Sequence, residues 1–173
     1  MEFYEAVKAR RSCRSYTDGA VSDEAVGRIL EAFRKAPSWK NSQGWHLICV
    51  GDPDLKKQLG DIMNQNPTPT AYANAPYIFV LCADPSASGN MDGKPYYMVD
   101  CGIALEHFCL AAAAEGLGTC WVGLFGEEPL KKLLGIPEGL RVVAVTPLGV
   151  PGENAYKDRP RREIRDILHK NVW

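Results

Sequence analysis

From about Tyr97 to Glu115 the chain reads YMVDCGIALEHFCLAAAAE. The spacing predicts one long helix, apolar nearly all the way round, with few charges besides Asp100 and Glu106. Such a helix has no face to offer water, so it must lie inside a protein or at an interface between subunits. Whatever this chain folds into is built around that helix. Gly116-Leu117-Gly118 ends it.

The remaining elements read as its packing partners. A short helix over residues 2–10 is marked by Phe3, Ala6, Val7 and Arg10 at three- and four-residue spacing. Ser22 offers an N-cap to a second helix, with Asp23 and Glu24 in its first turn, ending before Pro37. Residues 37–44 (PSWKNSQG) form a polar loop before a strand over 45–50, and Asp52-Pro53 opens a third helix through Leu55, Leu59 and Ile62. Asn64 to Tyr72 reads as irregular. Residues 77–82 (YIFVLC), apolar on both faces, predict a central strand. Residues 84–95 read as a loop, 119–122 as a short third strand, 127–134 as a helix closed by Gly135, and 140–148 as a fourth strand. Pro147 in that last strand suggests a sheet edge. The order implies one α+β domain with helices packed on one sheet.

With 173 residues, one domain with a sizeable core is expected. Twenty Lys and Arg against 21 Asp and Glu argue against general nucleic-acid or membrane-surface binding. The N-terminus lacks the apolar run of a signal peptide, and no apolar stretch approaches the roughly 20 residues that span a bilayer. The six cysteines form no CxxC pair and several sit in apolar runs, so buried reduced thiols in a cytoplasmic protein are expected. His46, His107 and His169 are isolated and read as structural or exposed.

Four stretches could carry chemistry. Arg10, Arg11, Ser12 and Arg14 put guanidinium forks and a hydroxyl together, the donor set that suits a phosphate monoester. They could equally be the solvated, dipole-matched end of the first helix. Residues 37–45 set hydroxyl and amide groups directly before a strand, suited either to a heteroaromatic ring edge or to turn chemistry. The glycines of 116–123 (GLGTCWVG) imply close backbone approach to a strand or ligand, but match neither a dinucleotide fingerprint nor a P-loop. A second basic run, Lys157 to Glu163, could serve the same anion as the first or be a solvated arm. A small nucleic-acid module using both runs would bind with steep salt dependence and carry no chromophore.

Taken in order, ARRSCRSY, APSWKNSQGWHLICV, GLGTCWVG, LLGIPEGLRVVAVTPLGVP and RPRREIRDIL resemble the FMN-dependent nitroreductase family along essentially the whole chain. The resemblance implies a nitroreductase-like α+β fold, a central mainly antiparallel β-sheet flanked by helices, in an intertwined homodimer with FMN at the interface. It assigns Arg10, Ser12 and Arg14 to the flavin phosphate, Arg11 to mainly backbone contacts, and Arg159 and Arg161 to closure over the same phosphate. Pro37, Ser38 and Trp39 would pass beside the flavin from the partner subunit, with Asn41 and Gln43 near its ring and ribityl chain. Gly123 and Leu124 would bring a backbone N–H to flavin N5. The helix around 98–115 would form the dimer core, and residues from about 152 to 173 would be an arm reaching the partner. The implied activity is ping-pong electron transfer from NADH or NADPH to a small acceptor such as a nitroaromatic, quinone or enone. A flavin-storing or redox-sensing protein without turnover is the alternative. Gly44 stands where many members have proline, Trp39-Lys40 is bulkier than usual, and the chain lacks the insertion that forms a lid in larger members. An open site follows.

Overall fold

The computed structural model describes residues 1–63 and 67–173. Its main sheet has four antiparallel-paired strands: β1 (Trp45–Val50), β2 (Tyr77–Ala83), β5 (Gly118–Thr119) and β6 (Arg141–Gly149), in the order β1-β2-β6-β5. Between β2 and the long helix lies a hairpin, β3 (Asn90–Met91) with β4 (Lys94–Pro95), where a plain loop was expected. Asp92 and Gly93 have φ values of 54° and 75°, which is the turn chemistry that closes such a hairpin.

Among the described residues the helices are α1 (Phe3–Ala9), α2 (Asp23–Arg34), α3 (Pro53–Met63), α4 (Pro69–Asn74), α5 (Tyr96–Ala114) and α6 (Glu127–Leu134). Local signals set most of the ends. The Ser22 hydroxyl accepts from the Ala25 N–H, and the Asp52 carboxylate accepts from the Leu55 N–H at 2.8 Å. Gly135 stops α6 in the left-handed region at φ 64°. The α4 helix corrects the expectation of an irregular stretch: Thr68 caps it and Pro69 occupies its first turn. Asn64–Asn66, the start of that stretch, lie outside the described residues.

Strand β2 explains the architecture. Its side chains alternate, with Phe79, Leu81 and Ala83 facing one apolar cluster and Ile78, Val80 and Cys82 facing another. The first cluster is filled by α2 and α5, the second by α3, α4 and α6. A strand buried on both faces needs no polar side, hence its unbroken apolar run. The expected edge position of the last strand is wrong, since β6 lies between β2 and β5. Both backbone groups of Val145 bond Val122, so by two-residue alternation the Pro147 nitrogen faces the same side. There it faces Cys120, on the same register that pairs Thr119 with Leu148 and Val122 with Val145, and the ladder is interrupted at that one position.

Helix α5 also amends the sequence reading: at 19 residues and mean hydropathy 1.3 it has the length and composition to cross a membrane. Here it is the central packing element. Cys101, Ala104, Leu105, Phe108, Cys109 and Ala112 are buried against the sheet and α2. Its N-terminal part exposes Met98 and Val99, and α1, which packs on the same helix, exposes Phe3, Tyr4 and Val7.

Candidate functional site

The backbone brings the two basic runs together. After α1 ends, Ser12 pairs with Thr119 and the Cys13 N–H donates to the Thr119 carbonyl at 2.7 Å. Arg14 N–H donates to Ala155, Thr17 N–H to Val150, and Gly152 N–H to Ser15. The chain from 12 to 17 is therefore laced between β5 and the segment that leads into Lys157–Arg161. Cys13 points inward with 0% exposure, so its neighbours Ser12 and Arg14 turn outward. Gly118 makes the lacing possible, because a Cβ there would lie 2.5 Å from the Cys13 sulfur.

Arg10, Arg11, Ser12 and Arg14 line one side of a cleft of about 640 Å³; Lys157, Arg159 and Arg161 line another. Glu106 and Leu110 of α5, Val7 and Lys8 of α1, and Asp158 complete it. The Arg10 Nε lies 3.2 Å from Glu106 Oε1. Arg11 ties the two runs directly: its Nη1 donates to Asp158 at 3.0 Å, 147 positions away, and its guanidinium lies over the Tyr156 ring at 4.7 Å. Arg14 donates to the Ser12 carbonyl at 3.3 Å and Arg161 to the Arg159 carbonyl at 3.0 Å. The Ser12 hydroxyl contacts the buried Cys120 thiol. Burial pushes the Glu106 carboxyl above its ordinary range, and Arg10 pulls it back. Lys8 does sit in the last turn of α1, as the helix-end reading requires. That reading does not account for a second basic run on the opposite wall.

The 37–43 loop is built differently. A single 3₁₀ turn covers Trp39–Asn41, and Lys40, Asn41 and Gln43 all have left-handed φ values of 47°, 58° and 50°. Three non-glycine residues in that region are costly and persist only where neighbours over-determine them. Here the Ser38 hydroxyl accepts from the Gln43 N–H at 2.9 Å, and buried Asp100 accepts from the Trp39 N–H at 2.8 Å. The other Asp100 oxygen accepts from Ser88 at 2.8 Å. The Trp39 indole packs on Gly89 and on the Tyr96 ring, 4.6 Å between centroids.

Neither Pro37, Ser38, Trp39, Asn41 and Gln43 nor Gly123 and Leu124 line the basic cleft. Gly123 abuts the Trp121 ring, and Leu124 is 66% exposed. One chain thus gathers the anion-binding half of the expected site and leaves the other residues apart. Sequence reading missed Asp100 as the anchor of the loop and Glu106 as part of the cleft. Both were visible as the two carboxylates of an otherwise apolar helix. No group of three or more His, Cys, Asp or Glu residues placed to hold a metal occurs among the described residues. The six cysteines are free; five are buried, and burial pushes the thiols of Cys101 and Cys109 up to about 12. Cys49 departs from expectation by being exposed on β1.

Residues 7–75 and 64–150 match the family model described as Nitroreductase family. A protein from Archaeoglobus fulgidus, provisionally named NADH dehydrogenase/NAD(P)H nitroreductase, is 35% identical over 99% of both chains. The FMN reductase [NAD(P)H] of Bacillus subtilis is 28% identical over 99% of this chain and 74% of its own. The crystal structure of a nitroreductase family protein from Clostridium novyi NT superposes with a TM-score of 0.85 at 39% identity, over 91% of this chain and 89% of that one. With its fold, its basic cleft and these matches taken together, this chain belongs to the nitroreductase family.

Proposed function

We propose that this protein is an FMN-dependent oxidoreductase that takes electrons from NADH or NADPH and passes them to a small oxidised acceptor, a nitroaromatic, quinone or enone, in a ping-pong cycle. The observation that carries the reading is the convergence of Arg10, Ser12 and Arg14 with Arg159 and Arg161 on one cleft. A phosphate monoester is close to a dianion at neutral pH, and guanidinium forks with a hydroxyl match its oxygens in charge and geometry. The residues present therefore fit the phosphate end of FMN. Relatives named FMN reductase and NAD(P)H nitroreductase support the same cofactor and donor. When bound, FMN would supply the redox chemistry that links the nicotinamide donor to the acceptor.

The protein's own part is position and electrostatics. Arg10, Ser12 and Arg14 grip the phosphate, and Arg159 and Arg161 close over it; Arg11 works as a tie between the two runs. Because the loop of Pro37, Ser38, Trp39, Asn41 and Gln43 is absent from the cleft of its own chain, a homodimer completes the site, each loop serving the partner's cleft. Exposed apolar side chains on α1 and α5 suit such an interface. Ile164, Ile167, Leu168 and Trp173 are also exposed, which suits an arm from about 152 to 173 that lies on the partner. The backbone around Gly123 and Leu124 offers an N–H toward N5. Free buried thiols favour a reducing, cytoplasmic setting. Because the sequence lacks the long insertion that would form a lid, an open acceptor site is part of this reading.

Arg14→Ala tests the assignment. Loss of one charge-assisted contact of about 1.5–3 kcal/mol should weaken FMN binding at least about tenfold, read by fluorescence titration of the apoprotein. Unchanged affinity would contradict the cradle.

A further inference from the structure

Two carboxylates line a cleft that otherwise collects cations; Asp158 is paired with Arg11, and Glu106 needs a reason of its own. Glu106 lies there beside Arg10, half exposed, and would repel any anion the cleft receives. Solubility does not explain it, since the residue faces the cleft and is partly desolvated. Its mounting supplies the reason. Helix α5 is locked in the core by Leu105, Phe108 and Cys109 on either side of Glu106 in the sequence. Arg10 follows a helix of only seven residues and is reached through a long, flexible side chain. The contact is to Nε, at 3.2 Å. A guanidinium has two separate donor edges, and engaging Nε leaves the edge formed by Nη1 and Nη2, the fork that chelates two phosphate oxygens.

We infer that Glu106 is the positioning residue of this cleft: it fixes Arg10 by Nε and so presents the Nη1/Nη2 edge to the phosphate of the cofactor. The inference rests on the reading of the cleft as the flavin-phosphate site. It assigns Glu106 an ionic anchor's role: the carboxylate holds Arg10 by charge from the Nε side. Removing the side chain, or only its charge, should therefore loosen the cofactor.

The test is fluorescence titration of the apoprotein and its variants with FMN and with riboflavin, which lacks the phosphate. Glu106→Ala should bind FMN at least about fivefold more weakly and riboflavin as the parent protein does. Glu106→Gln keeps the length of the side chain but not its charge and should weaken FMN binding as Glu106→Ala does. Adding Glu106→Ala to Arg10→Ala should cost nothing further, because the two act as one unit. FMN binding by Glu106→Ala that equals or exceeds the parent's overturns the inference. So do equal losses for FMN and riboflavin, which mark a general structural defect. Arg14→Ala separates the two levels. If it weakens FMN while Glu106→Ala does not, the role of Glu106 fails and the phosphate site stands. If neither variant matters, the phosphate site itself fails.

Discussion

Cys13 and Gly118 are the residues on which the geometry of the basic cleft depends. The thiol fills the space that a Gly118 side chain would need, and this packing turns Ser12 and Arg14 outward. Gly118→Ala must push the extended segment off β5. A cost of about 1–3 kcal/mol is expected for such overpacking, visible as a lower midpoint in urea unfolding. An unchanged midpoint would mean that the segment shifts freely, and then the cleft is not held as described. The burial of Cys13 was legible in the sequence as part of the general expectation of buried thiols. The close approach behind Gly118 was legible only as a glycine-rich stretch, since the atom it avoids lies more than a hundred residues earlier. The same distance hid Glu106, whose partner Arg10 shares no local pattern with it.

Among the elements, strands and helices with strong local signals were readable almost to the residue. The caps at Ser22 and Asp52, the stop at Gly135 and the apolar run of β2 are all local chemistry. Where neighbours decide, the reading failed. Pro147 sits in a central strand, where it interrupts the ladder to β5 at one position, and α4 forms because Thr68 caps a short proline-led turn that the composition disguised. One joint between elements is open to titration. Glu127, in the first turn of α6, accepts from Arg141 at 2.9 Å and from the Val142 N–H at 2.8 Å, which ties the helix to β6. These bonds, the Arg141 contact foremost, hold its carboxyl below the ordinary range. A depressed folded-state pKa means stability that is present above the unfolded value, about 4.3, and is lost as pH falls through the folded one. Glu127→Gln should therefore lose less stability than the parent between about pH 5 and pH 3. Identical acid limbs in denaturation would show that the joint contributes nothing.

At the scale of the whole molecule, the sheet and its two layers of helices were implied by the order of elements, and the family by five motifs in sequence. What one chain cannot display is a complete site, because the strained 37–43 loop and the basic cleft are separate surfaces of it. In the proposed dimer, two copies pair through the exposed apolar sides of α1 and α5 and complete each other's site. Val99→Asp, at a residue 50% exposed, should leave the fold intact, shift sedimentation toward monomer and release the flavin. A stable, fully flavinated monomer would refute the shared site. The central claim, a flavin held by its phosphate and turned over by NAD(P)H, is reached most directly by the visible spectrum of the purified protein under anaerobic conditions. The account predicts a yellow protein that bleaches rapidly on addition of NADH or NADPH and regains its colour with a quinone or nitroaromatic. A colourless protein that cannot be reconstituted with FMN, or a yellow one that neither nicotinamide bleaches, would contradict it.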